Sequence, residues 1–295
     1  MFVATLIAPP RSAGLEQELI ARIGDVLGYV TSEDKLHPTH ASDLHLDREP
    51  LPGAWEAARR LAASQRMDIV LQPSENRRKS ILIADMDSTM IDQECIDELA
   101  AEIGAKEEVS KITARAMNGE IEFESALRER VALLKGLPTS VISEVIEKRI
   151  TLASGGNALV STMRANGGYA ALVSGGFTAF TEVIADKIGF DETRANILHM
   201  ENGALTGTVA EPILGSDAKV TALIEIAQMR GVDVRDAVAV GDGANDLGMI
   251  RLAGAGVALH AKPSVAASAE HRIDFGDLTA LLYMQGYRAD EITTA

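Results

Sequence analysis

The spacing of apolar residues changes several times along the chain, and each change marks an element. Residues 2–8 (FVATLIA) read as a strand. Leu15–Leu27 and Trp55–Ala63 repeat at helical spacing, and Met67–Leu71 is another short apolar run. This pattern predicts a small α+β unit over residues 1–75. Pro73–Lys79 (PSENRRK) is polar, charged and free of large apolar side chains, so it reads as a linker.

Four near-continuous apolar runs follow: ILIAD (81–85), YAALVS (169–174), AVAVGD (237–242) and AGVALH (255–260). Runs of this kind are strands buried on both faces. Helical patterns separate them, which predicts an α/β fold with a doubly wound parallel sheet and ligands at the carboxyl ends of its strands. Residues 93–152 interrupt the alternation with a helical, charge-rich insertion, too long for an ordinary loop. The core is thus expected at 80–92 and 153–295, with 93–152 as a helical cap. Asn202-Gly203, set between two alternating runs, predicts a hairpin.

Composition narrows the partners. The 295 residues are 46% hydrophobic and 24% charged, which fits a globular chain large enough for more than one domain. Lys and Arg number 28 against 43 Asp and Glu, a net charge of −15, so phosphate backbones and anionic membranes would repel the chain. The expected partner is a small molecule, with no nucleic acid and no membrane. Between Asp92 and Ile150 the cap carries eight basic and thirteen acidic residues, which makes it no clamp for a polyanion. The first apolar run follows no basic residue and is too short for a secretion signal, and no later run reaches the ~18 residues of a bilayer span. Cys95 stands alone, so no intrachain disulfide can form. These features together suit a cytoplasmic protein.

The chemistry-bearing residues lie at the ends of the predicted strands. ILIAD runs into Asp85-Met86-Asp87-Ser88-Thr89, and carboxylates two apart share a face of a strand. Such close charges call for a cation, and an all-oxygen site suits Mg²⁺; taken alone, the pair equally fits turn residues capping a helix. Gly241-Asp242-Gly243-Ala244-Asn245-Asp246 brings two further carboxylates to the same sheet edge, which favours the metal reading. Ser174-Gly175-Gly176 sets a hydroxyl and free N–H groups before a helical run, either an anion cradle or an ordinary glycine turn. No glycine precedes Ser174 at the nucleophile-elbow position, so this serine is a ligand candidate and not a nucleophile. Lys219 falls in the first turn of a helix beginning near Ser216, where a cation opposes the helix dipole and needs a compensating anion. Together these groups describe phosphoryl transfer through an aspartyl-phosphate.

The order DxDST, SGG, a lone lysine and GDGAND resembles the haloacid dehalogenase superfamily over residues 80 to 285 and, within it, the phosphoserine phosphatases. The resemblance implies that Asp85 attacks phosphorus and that Asp87 acts as acid and then base. It also implies Mg²⁺ held by Asp85, the Asp87 main-chain carbonyl and Asp242, with Asp246 supporting its water shell. Ser174, Gly175, Lys219 and Asn245 would then surround the phosphoryl group.

One cap helix can be tested physically. Phe123, Leu127, Arg130 and Leu134 share a face, which leaves a guanidinium on an apolar stripe where it needs an anionic partner. That partner is a ligand carboxylate or, alternatively, a cap glutamate. The resemblance implies that Glu94 and Arg130 contact the amine and carboxylate of phosphoserine, and that Met117 and Phe123 line the pocket. Cys95 reads as a small buried hydrophobe, and His37, His40 and His45 as loop histidines without metal spacing.

Other readings stay open at this level. Another superfamily phosphatase or phosphotransferase would show the same motifs. The N-terminal unit loosely resembles ACT-like ligand-binding domains, which leaves room for an amino-acid-sensing role or for a homodimer built through that unit.

Overall fold

The structure is a computed structural model that describes residues 1–117 and 120–293, without the Met117 side chain. The N-terminal unit runs β1 (Phe2–Ile7), α1 (Gln17–Leu27), β2 (Val30–His37), β3 (Ala41–Leu46), α2 (Pro52–Ser64), β4 (Asp68–Pro73). Its sheet is antiparallel with order β2-β3-β1-β4, the interleaved split βαβ arrangement. Alternation along the strands divides the side chains between two faces. Ala4, Leu6, Leu44 and Leu46 meet Ile20, Ile23, Leu27 and Ala58 of the helices. Ile7, Leu36, Ala41 and Val70 join the apolar core of the rest of the chain.

The segment expected as a solvated linker is fastened down. Arg77 donates to Asp43 Oδ2 at 2.6 Å, to Thr5 Oγ1 at 3.1 Å and to the Met284 carbonyl at 3.1 Å. The charge of this stretch was legible, but its buried partner Asp43 lies more than thirty residues upstream. The histidines also differ from expectation. His37 ends β2 and His45 lies within β3, leaving only His40 in the connecting turn. Those strands are rich in polar residues, so apolar periodicity does not reveal them.

β5 (Ile81–Ala84) opens the second sheet. Four helices follow: α3 (Cys95–Glu102), α4 (Lys106–Met117), α5 (Phe123–Leu133) and α6 (Ser140–Lys148). The chain continues through α7 (Gly156–Ala165), β6 (Tyr169–Phe177), α8 (Thr178–Ile188) and β7 (Glu192–Asn196). A hairpin of β8 (Leu198–Glu201) and β9 (Ala204–Val209) precedes α9 (Ser216–Arg230), β10 (Ala237–Gly241) and α10 (Leu247–Leu252). The last elements are β11 (Ala255–Leu259), α11 (Pro263–Ala266), β12 (His271–Ile273) and α12 (Ala280–Met284).

The six-stranded sheet has the order β12-β11-β10-β5-β6-β7, and its pairings are parallel. The four apolar runs are its four central strands, and the carboxyl ends of β5 and β10 lie side by side. The hairpin turns on Asn202 (φ 51°) and Gly203 (φ 77°), the paired left-handed conformations of a two-residue loop. Its second strand leans on the end of α5, close enough that a Cβ at Gly207 would lie 2.9 Å from that of Lys135. Among the described residues no helix is long and apolar enough to cross a membrane.

Candidate active site

Two adjacent strand ends supply the acidic rim. Asp85 follows β5, and its backbone N–H keeps one more rung with the Val240 carbonyl of β10, which fixes where the carboxylate starts. Its Oδ1 accepts from the Met86 N–H at 2.8 Å and lies 2.7 Å from Lys219 Nζ. Asp242 follows β10 directly. Asp246 Oδ1 meets Lys219 Nζ at 2.5 Å, while its Oδ2 accepts from the Gly243 N–H at 3.0 Å. Gly241 allows this closeness, since a Cβ there would fall 2.4 Å from the Asp246 carboxylate.

Lys219 is fully buried at the start of α9, and the anion its position calls for is supplied twice, by Asp85 and Asp246. Burial alone would lower its pKa, but those two charges more than offset that and hold the ammonium above its ordinary value. One lysine does not neutralise the rim. Burial, with Asp85 as the next contributor, pushes Asp242 up to about 8 and Asp246 up to about 6. Oxygens of Asp85, Asp242 and Asp246 lie within 4.8 Å of one another. Clustered hard oxygens with surplus negative charge fit a small divalent cation.

Asp87 gives no side-chain oxygen to that trio. Ser88, at φ 54°, turns the chain back, and Asp87 Oδ1 accepts from the Cys95 N–H at 3.3 Å. Burial and then the nearby Glu94 charge hold the Asp87 carboxyl well above the usual range, which favours the protonated acid. Cys95 itself is a buried thiol whose pKa burial raises, as its reading as a small hydrophobe requires.

The glycine cradle differs from expectation. Ser174, Gly175 and Gly176 do not sit at a helix start, because β6 runs through them to Phe177 and α8 begins at Thr178. The β6–β7 register breaks between Val173 and Phe177, so the strand bulges at the glycines. Ser174 Oγ accepts from the Gly176 N–H at 2.9 Å. Buried Asn196 pins the bulge, donating to the Gly175 carbonyl at 2.9 Å and accepting from the Leu214 N–H at 2.7 Å. Nothing in the hydrophobic pattern singles out that asparagine; a polar residue closing a strand beside a glycine bulge is its only signal.

Helices α3 to α5 roof the rim, enclosing a cavity of ≈290 Å³ with Asp85, Asp87 and Asp242 on its floor. Ser174, Gly175 and Asn245 form one wall, and Glu94, Phe123 and Arg130 the roof. Glu94 Oε1 accepts from Ser88 Oγ at 2.7 Å, and burial raises its pKa. Arg130 is 7% exposed. It donates to the Ala126 carbonyl at 3.2 Å and to Thr113 Oγ1 at 3.0 Å, and no carboxylate of the described residues lies within ion-pair distance. The cap-glutamate pairing left open by the sequence is therefore not formed. The Phe123 ring closes on Gly175, where a Cβ would lie 2.9 Å from its Cζ. Met117 ends α4, and its side chain lies outside the described residues. Ser88 and Thr113, which orient the two roof charges, escape sequence reading because hydroxyls on loops and helices are common.

A doubly wound sheet with a carboxylate pair at the end of one strand, an acidic loop at the next and a buried lysine between them defines a class of hydrolase. A profile described as haloacid dehalogenase-like hydrolase matches residues 82–251, and the chain belongs to that family. Within it the chain falls among the phosphoserine phosphatases. It is 45% identical over 225 residues to the phosphoserine phosphatase of Archaeoglobus fulgidus, a match covering 76% of this chain and 65% of that relative's length. A solved haloacid dehalogenase family hydrolase from Salmonella enterica serovar Typhi superposes with a TM-score of 0.85 at 28% identity, over 96% of this chain and 97% of its own. A phosphoserine phosphatase solved as a phospho-aspartyl intermediate analogue has a TM-score of 0.66 at 42% identity, over 70% of this chain and 98% of its own.

Proposed function

We propose that this protein hydrolyses O-phospho-L-serine to L-serine and phosphate with Mg²⁺, the last step of L-serine biosynthesis. The observation that carries the reading is one cavity with an acidic rim below and an unpaired carboxylate and guanidinium above. A phosphate fits the first once a divalent cation offsets the acidic rim, and an ammonium and a carboxylate fit the second.

In this reading a carboxylate oxygen of Asp85 attacks phosphorus. Asp87, whose burial and neighbouring Glu94 favour the protonated acid, gives its proton to the departing serine oxygen. The resulting Asp87 carboxylate then takes a proton from the water that opens the aspartyl-phosphate, which releases phosphate and restores both acids. Lys219, Ser174, the Gly175 N–H and Asn245 hold the phosphoryl oxygens. Asp85, the Asp87 main-chain carbonyl and Asp242 would hold Mg²⁺, with Asp246 supporting its water shell, and the bound ion would supply positive charge to offset that of the phosphoryl group. A phospho-aspartyl analogue of a 42%-identical phosphoserine phosphatase supports the covalent route. In the same reading 80–92 and 153–295 form the catalytic core, 93–152 the cap, and 1–75 an ACT-like unit suited to a homodimer contact.

The test is phosphate release from L- and D-phosphoserine, phosphothreonine and sugar phosphates, with and without Mg²⁺. A clear preference for L-phosphoserine that depends on the ion is expected. A flat profile across the panel defeats the assignment.

A further inference from the structure

A nearly buried guanidinium needs a nearby anion, and the charges that act on Arg130 are Glu94 first and then Asp97, both in the roof, with Asp87 below. The two in the roof are tethered in different directions. Glu94 is tied to Ser88, on the turn that leaves β5. Asp97, in the first turn of α3, is tied to α4, where its Oδ2 accepts from Ser110 Oγ at 2.9 Å. Three residues further along α4, Thr113 accepts from Arg130 at 3.0 Å. Positions three apart share a helix face, so one face of α4 anchors both Asp97 and Arg130, with the two charges beyond direct ion-pair distance. The other oxygen of Asp97, Oδ1, is buried and has no hydrogen-bond partner among the described residues.

We infer that Asp97 is a positioning residue that acts as the standing counter-charge of Arg130, leaving Glu94 free for the ammonium group of the substrate. The inference rests on the phosphoserine reading and deepens it. With Asp97 neutralised, Glu94 is left as the roof carboxylate acting on Arg130 among the described residues and is drawn toward it. The guanidinium still binds a substrate carboxylate, but the anionic end of the pocket is lost.

The experiment compares phosphoserine with O-phospho-3-hydroxypropionate, the same ester without its amine, and with p-nitrophenyl phosphate. Asp97→Asn raises KM for phosphoserine on the order of tenfold with little change in kcat, while KM for the amine-free ester stays or falls. Asp97→Glu keeps the charge and restores much of the preference for the amine. Should Asp97→Asn not fold, Ser110→Ala unties Asp97 and shifts the preference in the same direction by a smaller factor. An unchanged preference overturns the inference. So does an equal loss on all three esters, the mark of a merely structural role. A wild-type enzyme with no preference for the amine would instead defeat the phosphoserine reading, whatever Asp97 does.

Discussion

The rim of the sheet and the roof above it handle charge in opposite ways. At the rim, buried Lys219 at the start of α9 bridges Asp85 and Asp246, so a fixed cation holds two of the carboxylates while Asp242 carries the surplus charge. In the roof, Glu94 and Arg130 are oriented by neutral groups, a hydroxyl for the first and a hydroxyl and a carbonyl for the second, and neither spans the cavity to the other. A pre-assembled rim suits a step every substrate shares, since dipoles and charges that need no rearrangement favour the transition state most. An unpaired roof suits selection, because its charges are met only when a ligand carries matching ones. The contrast follows from fold position. The rim grows from strands buried on both faces, whereas the roof is an insertion whose helices bury one apolar face and leave the other polar.

The sharpest test of this division is Asp85→Asn. It removes the proposed nucleophile, so turnover falls by about 10⁴-fold, and equally for phosphoserine and p-nitrophenyl phosphate. Phosphate release measured on both substrates decides the matter. Near-normal turnover on either one places the nucleophile elsewhere and dissolves the shared-step account of the rim.

Arg130→Ala addresses the other half. Loss of the guanidinium lowers kcat/KM for phosphoserine by about 10²-fold, while p-nitrophenyl phosphate, with no carboxylate to lose, changes by roughly threefold or less. Steady-state kinetics on the two esters gives the ratio directly. Equal losses on both would assign Arg130 to the integrity of the roof and not to recognition.

The same division governs how much the sequence reveals. The four central strands announce themselves as apolar runs because both faces are buried, and the carboxylates at their ends follow from the topology. The edge strands β7 (ETRAN) and β12 (HRI) do not, since a strand bordered on one side needs no continuous apolar run. β2 (VTSEDKLH) is hidden for the same reason. In the roof, the helical face predicts the burial of Arg130, but Thr113 and Ser110, which fix its surroundings, look like any helix hydroxyl. Asp97 and Arg130 stand thirty-three residues apart, and only the packing of α3, α4 and α5 joins them. Local pattern finds a site whose residues sit at strand ends; it misses one whose order depends on which helix lies beside which.

The smallest expected effect concerns the rim without its metal. There burial and neighbouring charge raise Asp242 from 3.8 to about 8 and Asp246 from 3.8 to about 6. Between those values the folded protein keeps protons that the unfolded chain has already released, so protonation favours the folded state. That contribution is complete below about pH 4 and is lost as pH climbs first through about 6 and then through about 8. Metal-free protein is therefore expected to melt lower, by roughly 5 °C, at pH 8.5 than at pH 5.5. Mg²⁺ competes with those same protons, so the melting increment it adds must grow over the same range. Asp242→Asn removes the group that titrates higher and flattens both trends above about pH 6, whereas Arg130→Ala, which alters only the roof, leaves their slopes in place. Thermal unfolding in chelator and in excess Mg²⁺ across this range is the measurement. A Mg²⁺ increment that does not change with pH would mean the surplus charge of the rim is not what the ion binds.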